Sequence, residues 1–239
     1  MTVRRALTRA GVVAIVAALA ALGTVAGLAR GCGPVGGGRT AAPKPSGLTA
    51  ARLADALVFT YGPYGSITQP AAGAYRSLPT AASAGGVAGA PANTKFDPAD
   101  CAKAIWSGPD PARFGTAQAA VTALRRAGDT SSSGTQIWNE LIAAPGATAR
   151  AALGTGPLPG CARVRGSYQG RSLEFTEEKA PRLGTAARAA SVTSGGRSVR
   201  VVAFADRGYV GVVLAQGLSR TKTAAFAAQV YATAHAKLG

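Results

Sequence analysis

The sequence predicts an α+β fold: an antiparallel sheet with helices packed on one of its faces, preceded by an N-terminal membrane segment. Three observations lead to this prediction. The last third of the chain alternates strand-like segments with hairpin-type turns. The chain ends in a segment whose apolar residues have helical spacing. It begins with a basic leader followed by a long uncharged run.

The strand prediction depends on four segments of the last third, residues 172–176, 187–193, 198–205 and 209–215. Glycine-containing turns at 194–196 and 206–208 separate the last three at hairpin spacing, which predicts an antiparallel meander. Residues 220–238 place Phe226 and Val230 on one face, as in a helix. We expect this terminal helix to lie across the sheet.

Upstream segments predict further helices. The candidates are 48–59, a segment beginning at Asp97-Pro98 that carries Cys101 and Trp106, 115–128 and 145–153. A strand is the alternative for 115–128, and 135–143 is compatible with either a strand or a helix. Residues 60–94 are rich in Gly, Pro, Ala and Ser and predict a long loop whose first part packs on the domain.

The N-terminus predicts export. Arg4, Arg5 and Arg9 precede an uncharged run over residues 11–29. This run is longer than a typical signal-peptide core of about 7–15 residues and close to the ~20 residues of a spanning helix. The leading charges favour a cytoplasmic N-terminus with the rest of the chain outside. We therefore expect a signal peptide or membrane anchor at 1–32, a Gly/Pro linker at 33–47 and an extracytoplasmic α+β domain at 48–239.

The leader has two main possible outcomes, lipidation after cleavage and retention as an uncleaved anchor, and free secretion is a third. Residues 28–32 resemble a lipobox, the site at which a bacterial signal peptidase cleaves before a lipid-modified cysteine. Gly31 fits this pattern before Cys32, whereas Ala29 and Arg30 depart from it. The alternatives are lipidation of Cys32 and an uncleaved signal anchor. Either one places the domain on the outer face of the cell membrane.

The chain contains three cysteines, an odd number for an exported protein. If Cys32 is lipidated or lies at the membrane, Cys101 and Cys161 remain and are expected to form a disulfide. Closing a loop of about 60 residues stabilises a fold by about 4 kcal/mol on the chain-entropy model. The alternative is a pair of buried free thiols. A zinc site is not expected, because no Cys-x-x-Cys occurs and His235 is the only histidine.

The net charge of +16 shows that basic residues exceed acidic ones, 26 against 10. A basic surface attracts polyanions such as nucleic acid or acidic envelope polymers. The basic residues are dispersed, and an exported protein does not normally meet nucleic acid, so no nucleic-acid partner is expected. An anionic envelope polymer or a protein partner remains an alternative.

The sequence offers little for catalysis. His235 lies near the end of the terminal helix, where a solvated residue is expected. Glu177 and Glu178 are neighbours on a predicted strand, so their carboxylates point to opposite faces. No nucleotide-binding, hydrolase or metalloprotease motif is present. We predict a non-enzymatic protein without a cofactor or a metal.

Several short motifs resemble a known group. They are Cys101 after an Asp-Pro turn, Pro145-Gly-Ala-x-Ala before Cys161, Leu183-Gly-Thr-Ala, and Arg207-Gly-Tyr-Val before the terminal helix. Over residues 48–238 the chain resembles actinobacterial envelope lipoproteins and the PknH-type extracellular sensor domain of mycobacterial serine/threonine kinases. This resemblance implies helices on an antiparallel sheet, with a cleft that binds an unknown extracellular ligand. The chain departs from the kinase sensor domains in having one possible disulfide where those have two.

The sequence thus predicts a membrane-tethered ligand-binding or sensor-like domain without catalysis. Aromatic side chains, Trp138, Tyr168 and Tyr209, are the expected lining of the cleft. The alternative is a structural or assembly role in the envelope, in which the basic surface contacts an anionic polymer or a protein.

Overall fold

The computed structural model describes residues 47–78, 94–103, 105–106, 108–129, 134–157 and 159–239. The predicted leader at 1–32 with Cys32, and the linker up to residue 46, lie outside these residues. None of the helices within the described ranges combines the length and hydrophobicity that crossing a bilayer requires.

Within the described residues, an eleven-stranded sheet forms the centre of the domain. Its order is β1-β2-β5-β6-β11-β10-β9-β8-β7-β4, with β3 also paired to β5. The strands are β1 Thr60–Tyr61, β2 Tyr64–Ser66, β3 Ala71–Ala74, β4 Lys95–Asp97, β5 Gln118–Arg126, β6 Gln136–Ala143, β7 Arg163–Tyr168, β8 Arg171–Glu178, β9 Ala186–Ser194, β10 Arg197–Asp206 and β11 Tyr209–Gln216. Every pairing is antiparallel.

Helices cover both faces of this sheet. They are α1 Ala50–Asp55, α2 Gly146–Leu153 and α3 Arg220–Leu238, with short 3-10 turns at Tyr75–Ser77, Ala99–Lys103 and Pro111–Arg113. Helices α1 and α3 bury their apolar sides on the first face, where Phe226 packs in one core with Phe204. Helix α2 lies on the second face, where Leu153 packs in a separate core with Ala203. The central strands are therefore buried on both sides, and β11 is buried at every position but its last.

The C-terminal part of the fold agrees with the sequence. The four predicted strands correspond to β8–β11, the hairpins join β9 to β10 and β10 to β11, and the terminal helix spans Arg220–Leu238 as expected. The predicted helix at 145–153 is α2, and the one at 48–59 is the shorter α1. The expectation that helices occupy one face is wrong, because α2 packs on the face opposite α3.

Three upstream predictions are corrected by the structure. Residues 115–128 were expected to be helical but contain strand β5, which lies between β2, β3 and β6 and buries both of its sides. The segment 135–143, for which a strand and a helix were both open, is strand β6. The segment after Asp97 is a 3-10 turn and not an α-helix, since Asp97 ends strand β4 opposite Arg165 and does not cap a helix. The predicted loop at 60–94 contains strands β1, β2 and β3, and residues 79–93 lie outside the described part.

Candidate functional site

A narrow cleft opens on the second face of the sheet, beside the part that α2 covers. Its floor is made by apolar side chains from neighbouring strands: Phe175, Ala190, Val192, Val199, Val201 and Leu214. Residues that alternate along a strand share one face, and cross-strand pairing aligns these positions into two rows. One row runs from Glu177 through Ala190 and Val201 to Leu214.

Two chain segments that are distant in sequence form the walls of the cleft. Ile105 and Trp106 come from one segment, and Cys161 and Ala162 come from the other. The disulfide between Cys101 and Cys161 joins these segments, with the Cα atoms 5.4 Å apart. The pairing expected from the cysteine count is therefore present in the structure, and it ties together the two walls of the cleft.

An arginine on strand β9 organises the end of the cleft nearest α2. The Arg188 guanidinium donates two hydrogen bonds to the Glu177 carboxylate, at 3.1 and 2.8 Å. It donates a third to the carbonyl of Leu153 in α2, at 2.9 Å. Its Cζ also lies 4.8 Å from the centroid of the Trp106 ring, a cation–π contact. The two side chains of the ion pair are only 11% and 16% exposed, so the charges are matched locally and screened little by solvent.

One polar group at the cleft wall has no partner among the described residues. The indole Nε1–H of Trp106 is buried and donates no hydrogen bond there. A buried donor without a partner costs about 1–3 kcal/mol, and a ligand or water that supplies an acceptor recovers this cost. The cleft therefore combines an apolar floor, a neutralised ion pair and one unmatched hydrogen-bond donor.

The free volume of the cleft is also small. The centre of a water molecule can occupy only about 20 Å³ of it. This is room for about one water molecule. A ligand larger than a water molecule must therefore move the Ile105–Trp106 wall away from the sheet.

The structure separates the three aromatic residues expected to line a site. Trp138 on β6 pairs with Leu214, so it continues the floor row of the cleft on the same face. Tyr168 lies at the end of β7 opposite Arg171, beyond the floor residues of β8, and is partly exposed. Tyr209 is 0% exposed and packs in the core of the first face, so a ligand in the cleft cannot reach it. Of the three, only Trp138 adjoins the cleft.

Sequence reasoning missed Arg188, Glu177 and Trp106 as site residues. A signal for Arg188 was present, because it stands within a strand of small and apolar residues, where a charge needs a partner. The partner could not be chosen from sequence. Glu177 and Glu178 do point to opposite faces, as expected, since Glu178 pairs with Arg200 and Arg220.

A second polar cluster lies at the C-terminal end of α3. The Nδ1 atom of His235 is 2.8 Å from an oxygen of the buried Asp206 carboxylate, and the histidine side chain is itself exposed, as the sequence predicted. Burial raises the pKa of the nearby Tyr209 phenol far above its usual range, with further contributions from Asp206 and Tyr231. None of these side chains lines the cleft. They link helix α3 to the β10–β11 hairpin.

These features define an extensive antiparallel sheet with helices on both faces and a cleft on one of them. No protein-family model and no curated protein matches the chain, whereas solved structures do. An uncharacterised protein from Mycobacterium smegmatis, the Rv0999 ortholog, is similar at a TM-score of 0.50 and 16% identity, over 73% of this chain and 90% of that chain.

The extracellular domain of PknH from Mycobacterium tuberculosis gives a TM-score of 0.47 and 15% identity, over 82% of this chain and 98% of that chain. The structural resemblance predicted from the short motifs is thereby confirmed at low sequence identity. At such identity the likeness concerns the fold alone.

Proposed function

We propose that the chain is a membrane-tethered, extracytoplasmic binding domain that holds a ligand in the cleft of the second face and acts as a sensor-like module without catalysis. The observation that carries the proposal is the cleft itself. Its floor is apolar, and the ion pair at its end is already neutralised, which is the kind of lining that a largely apolar ligand covers.

The proposed location is supported by two features. Disulfides persist in oxidising compartments, and the Cys101–Cys161 bridge is present in the structure. The basic leader and the uncharged run at 11–29 are typical of an export signal or anchor. The domain would then stand on the outer face of the membrane, where it meets extracellular molecules.

Binding is favoured over catalysis by the state of the charged groups. Arg188 donates two hydrogen bonds to the Glu177 carboxylate. Glu177 is therefore not free to act as a general acid or base, and Arg188 is not free to bind an anion. His235, the one histidine of the sequence, lies beside Asp206 at the far end of α3 and does not line the cleft.

The proposal is tested by asking whether the cleft retains a small molecule. The full chain is purified from bacterial membranes into amphipol, and native mass spectrometry records the bound species. We expect a co-purifying small molecule on the wild type and its loss in Val192→Trp, because an indole at this floor position fills the cleft.

The matched control is Thr193→Trp, the next residue of β9, which is equally half-buried but points to the other face. This variant should keep the bound species. A wild-type chain that carries nothing, or equal loss in both variants, would contradict the proposed site.

A further inference from the structure

We infer that the sheet edge formed by β1 and β2 is a membrane-contact surface, which lies in the headgroup region of an anionic bilayer. This surface, the edge hairpin of residues 59–67, is separate from the ligand cleft, and the inference uses only the membrane tether of the proposed function. Three observations lead to it: exposed apolar side chains, the lack of charge within the hairpin, and basic side chains beside it.

The exposed apolar side chains of the domain lie together on the edge hairpin. In the described part of the chain, Phe59 and Ile67 are the large hydrophobic residues that are exposed, at 38% and 49%. They are close to each other, because the N–H of Ser66, the residue before Ile67, donates a 2.9 Å hydrogen bond to the Phe59 carbonyl. Pro63 at the turn is exposed as well. Apolar residues that cluster on a surface mark an interaction site, whereas scattered ones do not.

The edge hairpin carries no charge that a lipid interface would have to desolvate. The sequence has no charged residue between Asp55 and Arg76. The tyrosines of the hairpin, Tyr61 and Tyr64, are partly exposed and stack with their ring centroids 6.4 Å apart. Tyrosine is enriched at the membrane–water interface, because its ring is apolar and its hydroxyl is polar. The composition of the hairpin therefore suits the headgroup region.

The edge hairpin is fixed to the domain, so contact with a membrane does not have to order it. Tyr61 packs on Phe226 of α3 with the ring centroids 4.9 Å apart, and its hydroxyl donates a 3.0 Å hydrogen bond to the Lys222 carbonyl. The Thr60 carbonyl accepts a hydrogen bond from the Gln229 side chain at 3.2 Å. A carbonyl that is already paired costs less to remove from water than a free one.

Basic side chains border the edge hairpin on both faces of the sheet. Arg126 pairs with Tyr64 and Arg125 with Gly65, and neighbouring residues of a strand point to opposite faces. Lys222 is exposed and adjoins the hairpin from α3. Among the residues that the structure describes, no ion pair includes any of these three cations. Anionic lipid headgroups would supply the missing counter-charge.

The tether and the charge favour a bilayer over a second copy of the chain. Residues 33–46 separate Cys32 from the described domain, and these 14 residues can span at most about 50 Å. The proposed tether therefore holds the edge hairpin at a high effective concentration near lipid. A second copy that used the same edge would place Arg125 and Arg126 near their own counterparts, and like charges repel.

The test places the full chain, labelled with ²H and ¹⁵N, in nanodiscs of mixed phosphatidylglycerol and phosphatidylcholine. A gadolinium chelate on a fraction of the lipid headgroups broadens the NMR signals of amides that approach the membrane. We expect the strongest broadening at the amides of Gly62, Tyr64 and Ile67. The amides of β4, at the opposite end of the strand order, are the internal control and should not broaden.

Substitutions separate the apolar and the electrostatic contributions. Ile67→Ser should weaken the membrane contact about fivefold, because the exposed side chain no longer gains from burial in the interface. Arg126→Gln should also weaken it about fivefold, and salt at about 0.5 M should reduce the wild-type broadening. The matched control is Arg165→Gln on β7, an exposed arginine near the opposite edge, which should leave the broadening unchanged.

The outcomes separate this inference from the proposed function. No broadening at the edge hairpin, or equal broadening of β4, would overturn the inference while the cleft and the tether stand. Equal broadening in discs of phosphatidylcholine alone would overturn the choice of an anionic bilayer. Shifts of the hairpin signals that follow protein concentration in amphipol would identify a second copy as the occupant and overturn it too. A chain that separates from the discs on flotation would disprove the tether, and with it the premise of the inference.

Discussion

Replacing Arg188 by methionine should destabilise the domain strongly, because it leaves the Glu177 carboxylate in a largely buried position without a cation. The two side chains of the pair are 11% and 16% exposed. Breaking a buried pair by removing one partner costs about 3–5 kcal/mol. The lost hydrogen bond to Leu153 is part of the same change. We expect a loss of this size in the free energy of unfolding.

The reasoning is checked by a double substitution. If the cost of Arg188→Met arises from the stranded carboxylate, then adding Glu177→Leu should restore most of the stability, since a buried ion pair and an apolar pair of similar volume are often nearly equivalent. The matched control is Arg163→Met, whose partner is Glu174. The two side chains of that pair are 74% and 44% exposed, so solvent screens the charges and the expected loss is about 0–1 kcal/mol.

The assay is urea unfolding of each purified variant, followed by tryptophan fluorescence, with the melting temperature as a second measure. For a domain of this size, 1 kcal/mol moves the melting temperature by about 2–4 °C. A loss below about 1 kcal/mol in Arg188→Met would refute the argument. So would a double variant as unstable as the sum of its single variants, since this would show that the two residues act independently.

Three further predictions concern the first face of the sheet. Burial raises the pKa of Tyr209, so above pH 10 the unfolded chain loses the phenol proton while the folded chain keeps it. The free energy of unfolding should therefore fall above pH 10 by up to about 1.4 kcal/mol per pH unit. In urea titrations at alkaline pH, Tyr209→Phe should remove this part of the slope. Asn139 is fully buried and exchanges two 3.0 Å hydrogen bonds with the backbone of Val58. Asn139→Leu should therefore cost about 2–5 kcal/mol and expose the Val58 amide to hydrogen exchange, and unchanged protection would contradict this. A Cβ on Gly211 would lie 2.2 Å from the Phe204 ring, so Gly211→Ala should cost about 1–3 kcal/mol by thermal unfolding, and a neutral result would mean that the ring can move.

The sequence predicted the C-terminal half of the fold because local signals and tertiary structure agree there. Glycines at the 195–196 and 208 turns have positive φ angles, which is what tight hairpins need. The helix prediction for 115–128 was wrong because local signals and tertiary structure disagree there. Strand β5 is buried on both sides, so its side chains do not alternate, and its alanines and leucine suit a helix equally well.

The site was harder to predict than the fold, because its parts come from distant segments. The cleft forms where Trp106 and Cys161 pack against the floor of β8–β11. No spacing pattern in the sequence predicts that these segments come together. The disulfide could be predicted because cysteines are few. Tyr209 was placed in the site on residue type alone, and only the strand register shows that it faces α3.

The position of the cleft follows from what covers the second face. Helix α3 packs against β10 and β11 on the first face. Helix α2 has 8 residues, is about 12 Å long and packs against β9, β10 and β11 on the second face. The rest of the second face, towards β8 and β7, needs another cover, and the Cys101–Trp106 segment provides it because the disulfide ties it to Cys161. The cleft lies where α2 and the Cys101–Trp106 segment approach each other. Arg188 donates a hydrogen bond to Leu153 of α2 and contacts the Trp106 ring of the segment. A ligand that enters there competes with the contact between Trp106 and the sheet, so binding would be coupled to the disulfide-linked segment while α3 and the first face stay unchanged.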